Sequence, residues 1–236
     1  MLRSPARLLI LTLAATLACC GAAHAQVPPS GATVYGGFND ILPPGNNGFD
    51  NDAQLLQFET SKTYPPNADN QFDMYQNLLW GASSLTDSTI PDYFTNSDFG
   101  VASGDVSSTV SPEAGVTIRY DQYGVPHIYG ETRPELMFGA GYAAAQTRLF
   151  EMDALRHVGR ADLAGFAGGS NADQDALQWA VAPYTEQDLN NQITALDDDS
   201  GPLGHQVYED GLDYIAGINA YIAAAQKSPL TMMPGE

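Results

Sequence analysis

Residues 116–168 read VTIRYDQYGVPHIYGETRPELMFGAGYAAAQTRLFEMDALRHVGRADLAGFAG, and this stretch joins a strand hairpin to one long capped helix. Val116, Ile118 and Tyr120 alternate with Thr117, Arg119 and Asp121, the period-two pattern of a strand with one buried face. Gln122-Tyr123-Gly124 supplies a turn, and Val125 to Tyr129 returns as the partner strand. Pro126 has no N–H for a ladder, so that strand is expected at an edge, or paired only from Ile128 onward. Thr132 then stands three residues before Glu135, the capping-box spacing, with Pro134 tolerated in the first turn. Phe138, Tyr142, Ala145, Leu149, Met152 and Leu155 recur at three- and four-residue steps as one apolar stripe. Gly159 offers a stop, and Arg156 and His157 suit the negative end of the helix dipole. The expected helix, Arg133 to Val158, would be roughly 39 Å long at about 1.5 Å per residue. Gly139, Gly141 and Ala143 to Ala145 make its first half thin-walled, so a second backbone can pack closely there.

The quoted residues also carry a resemblance. Tyr123-Gly124-Val125-Pro126-His127-Ile128-Tyr129, then Gly141-Tyr142, then Ala145-Gln146-Thr147-Arg148-Leu149-Phe150-Glu151-Met152, then Gly159-Arg160, resemble in order the start of the α-chain of penicillin acylases. The resemblance runs from 116 to 168 and onward to Glu236, where Leu230 to Pro234 resembles the leucine-and-proline segment of that chain. Thr147 departs from it, standing where the family usually has an aspartate before the arginine. Residues 26–113 lack a counterpart in the best-known members, although larger secreted members carry such an extension. The family consists of N-terminal nucleophile amidohydrolases. The resemblance therefore implies a four-layer α-β-β-α sandwich built by two chains from one precursor. It also implies a serine, heading a β-chain, whose own α-amine is the general base.

Working outward, the first 25 residues carry Arg3 and Arg7, an apolar run from Leu8 to Leu17 and Ala23-His24-Ala25. This pattern is a secretory signal peptide with a small-x-small cleavage site, too short to span a membrane as an ordinary helix. A lipoprotein signal through Cys19 or Cys20 is disfavoured by the residues preceding each. Cleavage after Ala25 removes both cysteines, leaving neither disulfide nor thiol chemistry. The formal charge of the whole chain is −19, from 9 Lys+Arg against 28 Asp+Glu; removing Arg3 and Arg7 leaves 7 against 28, or −21. Such a field repels nucleic acid and anionic lipid, and its plain reading is solubility outside the cell, secreted or periplasmic.

Residues 26–113 form a loop-rich extension. Pro43-Pro44-Gly45-Asn46-Asn47-Gly48 is turn chemistry, Asp52 to Phe58 and Gln71 to Trp80 have the composition of short helices, and Thr86 to Pro112 returns to turn residues. The acids and amides from Asn46 to Asp52 do not continue with calcium-loop spacing, so solvated loop is the better reading. Residues 114–236 are the start of the acylase-like α-chain. Within them Asp162 to Phe166 and Glu186 to Leu196 are expected as helices. A longer one from His205 to Gln226 carries a stripe of Tyr208, Leu212, Ile215, Ile218 and Ile222, stopped by Ser228-Pro229. Asp197-Asp198-Asp199 is taken as a solvated linker between the last two.

The chain shows no G-x-S-x-G elbow, no H-E-x-x-H pair, no P-loop and no Cys-x-x-Cys. Gly139-Ala140-Gly141-Tyr142-Ala143-Ala144 grazes a dinucleotide fingerprint but lies inside a helix. His127 is the tempting catalytic group, yet a base needs a positioned partner, and a hairpin histidine is usually structural. Arg148, Glu151 and Arg156 read as a helix-face ion network rather than a substrate clamp.

The expected fold class is therefore α+β, helix-rich with a short antiparallel hairpin, the N-terminal part of a larger fold. No catalytic, cofactor or metal residue is assigned, and calcium is implied only for the full enzyme through residues outside this chain. The expected partners are a β-chain from the same precursor and a small N-acyl substrate. Nucleic acid is excluded, as is a membrane once the signal is cut. The alternative is a complete, non-enzymatic secreted binding module. A hydrolase using His127 with an unrecognised serine ranks last.

Overall fold

The segment ahead of the hairpin contributes the strand that makes it a sheet. The computed structural model describes residues 39–40, 51–65, 77, 79–89, 95–96 and 100–234. The signal peptide, almost all of 26–50 and most of the expected Gln71–Trp80 helix lie outside them. A two-residue pairing joins β1 (Asn39–Asp40) to β2 (Thr95–Asn96), and α1 spans Asp52–Ser61 with Asn51 as its cap. β3 (Val106–Val110), β4 (Thr117–Asp121) and β5 (Pro126–Tyr129) then form an antiparallel sheet in the order β3-β4-β5. The hairpin and the edge position of the Pro126 strand are as expected, and pairing already begins at Pro126, opposite Tyr120. The expectation of turn residues from Thr86 to Pro112 is corrected at Val106–Val110. Its Val-Ser-Ser-Thr-Val composition is a half-exposed strand whose serines mask the alternation. Ser107 bulges from the ladder, and its hydroxyl donates to the Tyr120 and Asp121 carbonyls at 3.0 and 2.8 Å.

Among the described residues seven α-helices have both ends defined: α1, then α2 (Arg133–Gly159), α3 (Leu163–Ala167), α4 (Ala172–Val181), α5 (Glu186–Asp199), α6 (Gly201–Ala225) and α7 (Pro229–Met232). α2 begins with the expected capping box, Glu135 N–H donating to Thr132 Oγ1 and Thr132 N–H to Glu135 Oε2. It is not one straight rod. Arg148 has φ −143° and ψ 27° and kinks it. Just before the kink, the Thr147 hydroxyl donates back to the Ala143 carbonyl at 3.1 Å, a bond that bends helices. α4 was not expected, and α5 runs three residues past Leu196. Asp197 to Asp199 are thus its last turn rather than a linker, and Asp197 accepts a hydrogen bond from His205 in the first turns of α6.

The core forms where the thin half of α2 meets the sheet on one side and α6 on the other. Val116, Ile118, Tyr120, Tyr142, Ala143, Ala145, Tyr221 and Ala225 are buried together. Tyr142 and Tyr221 meet edge to face with centroids 5.3 Å apart. Val116 and Ile118 are the largest fully buried side chains, each contributing about 1.5–3 kcal/mol by removal from water. The stripe expected on α6 holds in part: Ile218 packs against the core, and Tyr208 and Ile222 are half-buried. Leu212 and Ile215 stand about half exposed, and the buried face is Gly204, Asp210, Gly217, Tyr221 and Ala225. The reason is close approach: a Cβ on Gly141 would run into the Tyr214 carbonyl, and one on Gly217 into the Phe138 carbonyl. Glycines set the approach, and Tyr142, Tyr221 and Ile218 pack beside it.

Candidate functional site

The hairpin turn organises the first candidate. Asp121 ends β4 with its Oδ1 accepting the backbone N–H groups of Tyr123 and Val125, at 2.8 and 3.0 Å. Gly124, at φ +77°, lets the chain reverse. The other carboxylate oxygen, Oδ2, lies 3.1 Å from His127 Nε2, and the two side chains are 16% and 17% exposed. Sequence reading singled out His127 without its partner. Only β4–β5 pairing brings residues six apart onto one side of the turn. The pair lines a cleft of about 230 Å³ with Asp105, Gln122, Tyr123 and the backbone of 100–102. Such an Asp–His pair can hold a proton, but acyl transfer also needs a nucleophile beside the imidazole. Among the described residues no serine, threonine, cysteine or lysine lines this cleft.

Of the expected helix-face network, Arg148 and Glu151 form a loose ion pair, and Arg156 pairs with Asp153 on the same helix. Arg148 Nε is 3.9 Å from Glu151, whereas Arg156 bonds Asp153 at 2.8–2.9 Å. Arg148 also donates to the Thr147 hydroxyl at 3.4 Å, a neutral acceptor where an aspartate would have given an ion pair. Beyond the kink His157 stacks on Phe166, centroids 4.4 Å apart, with Nδ1 3.4 Å from Asp162.

Sequence reading missed the most enclosed acid. Asp210 is 8% exposed and accepts both Nε and Nη2 of Arg133 at 2.7 Å, with Gln206 adding a third bond at 3.1 Å. The hydrogen bonds from Arg133 hold its carboxyl below the usual carboxylate range. The signal was present, since Asp210 lies seven residues before Gly217 on the small-residue face. Its task is architectural, tying the first turn of α2 to the middle of α6. Among the described residues no three acidic, histidine or cysteine side chains are grouped to hold a metal ion. Among the same residues no helix is long and apolar enough to cross a membrane.

With this geometry in view, the family model described as penicillin amidase matches residues 115–236. Penicillin G acylase of Escherichia coli is 31% identical over 121 residues, covering 50% of this chain and 13% of that protein. Penicillin acylase 2 proenzyme of Pseudomonas sp. (strain SE83) is 26% identical over 117 residues, covering 50% and 14%. A solved thermostable penicillin G acylase from Alcaligenes faecalis aligns at a TM-score of 0.40 with 28% identity, over 52% of this chain and 58% of that one. The chain thus spans well under a fifth of the length of the two curated relatives it matches.

Proposed function

The chain belongs to the penicillin amidase family, and from that membership we propose that it is the N-terminal scaffold of a secreted amidohydrolase that removes an acyl group from penicillin-like or other N-acylated amines. The observation that carries this reading is where the family match falls. Residues 115–236 contain β4, β5 and all helices from α2 onward, the elements that form the core. Among the described residues no serine, threonine, cysteine or lysine side chain is hydrogen-bonded to a histidine, His127 in its cleft with Asp121 included. In this proposal the nucleophile is the N-terminal serine of a β-chain made from the same precursor. Its α-amine takes the hydroxyl proton, and the acyl group passes to the serine oxygen and then to water. The present residues would fix the hairpin and the α2–α6 pair against which that chain assembles, within a four-layer α-β-β-α fold. Any calcium would be held by residues outside this chain.

The apolar side chains left in solvent support this over a self-contained binding module. Leu155, Leu177, Val181 and Leu203 are 62%, 66%, 74% and 81% exposed, side chains that an assembling β-chain would cover. The test is hydrolysis of a chromogenic phenylacetyl anilide by purified residues 26–236. No turnover above buffer is expected, and activity appears once the remainder of the precursor is co-produced. Turnover by the purified chain alone overturns the proposal.

A further inference from the structure

α6 is apolar on two sides. Its glycine face lies against α2, with Gly217, Tyr221 and Ala225 buried. Along the other side Tyr208, Leu212, Ile215, Asn219 and Ile222 recur at steps of four, three, four and three, the spacing with which one helix presents a seam to another. Leu212 and Ile215 are 45% and 52% exposed, Ala216, Asn219 and Ala223 beside them are exposed, and Tyr208 and Ile222 are half-buried. From Leu212 to Ala225 the single charged residue is Asp213. A helix that is apolar all round is one whose sides are all covered, and among the described residues this side is not.

Charge decides what fits there. Between Arg160 and Lys227 the chain has eleven aspartates and glutamates, one histidine, and no lysine or arginine. The histidine, His205, precedes the seam by one turn and is already engaged by Asp197. Glu209 and Asp213 flank the seam, and neither joins an ion pair among the described residues. A second copy of the chain would set acids against acids on this surface, in addition to the repulsion between two formal charges of −19. An anionic lipid surface is disfavoured for the same reason. We propose that the outward seam of α6 docks one basic amphipathic helix of a partner polypeptide. Its apolar side chains pack on Leu212, Ile215 and Ile222, and its lysines or arginines meet Glu209 and Asp213. Recognition of this kind is carried by anchors at three- and four-residue steps. Asn219, a polar residue within the seam, favours the register that gives its amide a polar partner. The docking stands without the amidohydrolase reading, since it involves no turnover and does not depend on which polypeptide supplies the helix.

The test is calorimetric titration of the full chain with a synthetic leucine–lysine peptide whose leucines repeat at heptad spacing. Saturable binding of one peptide per chain is expected. A peptide of the same composition with its leucines scrambled keeps the charge and loses the stripe, and should bind at least about tenfold more weakly. Replacing the lysines by glutamates should abolish binding. Leu212→Ser combined with Ile215→Ser, both at half-exposed positions, should weaken the heptad peptide by about tenfold or more, whereas Leu177→Ser on α4 should leave it unchanged. The comparison of peptides uses the unaltered chain, so it decides the matter even if the double variant fails to fold. Equal binding of the scrambled peptide would reduce the effect to charge alone and overturn the proposal, as would binding that never saturates or that the folded double variant retains. Self-association of the full chain that Leu212→Ser abolishes would overturn it too, by making a second copy the occupant.

Discussion

Gly141 and Gly217 hold α2 and α6 closer than any side chain at either position would permit, which gives two glycines of the same pair of helices opposite mutational signs. Gly141→Ala forces a Cβ onto the Tyr214 carbonyl and should destabilise by about 1–3 kcal/mol, as overpacking does. Gly211→Ala, where nothing lies within 4 Å, should stabilise by up to about 1 kcal/mol through helix propensity. Chemical denaturation of both variants checks the pair, and equal signs would contradict the packing. Charges make a second residue-scale case. Glu135 and Asp188 are held below their ordinary values by hydrogen bonds from the Thr132 N–H and the Thr185 hydroxyl, and Asp210 by those from Arg133. These groups bind fewer protons folded than unfolded. Their contribution is complete above about pH 5 and is lost as pH falls through the lowered folded values. His205 is raised by its bond to Asp197, so its contribution is present below about pH 6.5 and lost as pH rises through the folded value. Stability should therefore crest between about pH 5 and 6.5, judged by urea midpoints across pH 3–9. The alkaline limb should be shallow, because the His205 side chain is 61% exposed, and it should vanish in His205→Gln. Residue spacing revealed the capping box and the thin wall of α2. It did not reveal the Arg133–Asp210 pair, because partners 77 positions apart leave no local pattern.

At the level of elements, what was legible tracks how local the cause is. The β4–β5 hairpin and the start of α2 are specified by Asp121, Gly124, Thr132 and Glu135 within a few residues of where they act. The face that α6 buries is decided by a helix some seventy residues earlier, so hydrophobic periodicity picked the larger side chains and missed the glycines. β3 was illegible for a related reason: Ser107, Ser108 and Thr109 carry no apolar alternation, and only the free edge of β4 recruits them. The His127–Asp121 cleft was half legible, the histidine by its chemistry and the aspartate only through strand register. The role of β3 can be tested by cutting before it matters. A chain of residues 114–236 exposes the backbone donors and acceptors along β4 that β3 now pairs, an open edge that invites intermolecular strand pairing. Sedimentation should show concentration-dependent association of that shortened chain beyond what the full chain shows. A shortened chain that sediments like the full one would mean that β3 does not protect the edge.

For the molecule as a whole, charge and burial pull in different directions. A formal charge of −19 keeps chains apart by mutual repulsion. Yet Leu155, Leu177, Trp179, Val181, Leu203 and Ile215 stand 49–81% exposed on α2, α4 and α6. Charge does not cover such faces; the proposed β-chain would. A neutral probe separates the two effects, because an anionic dye would be repelled by the same field that keeps the chain in solution. Nile red should fluoresce with the full chain alone and lose most of that signal when the rest of the precursor is co-produced. High salt, which screens the charge within about 3 Å at 1 M, should bring the lone chain to associate while leaving the assembled protein unchanged. If the dye signal is the same in both samples, the exposed side chains are not an assembly surface, and the scaffold reading loses its support at this scale.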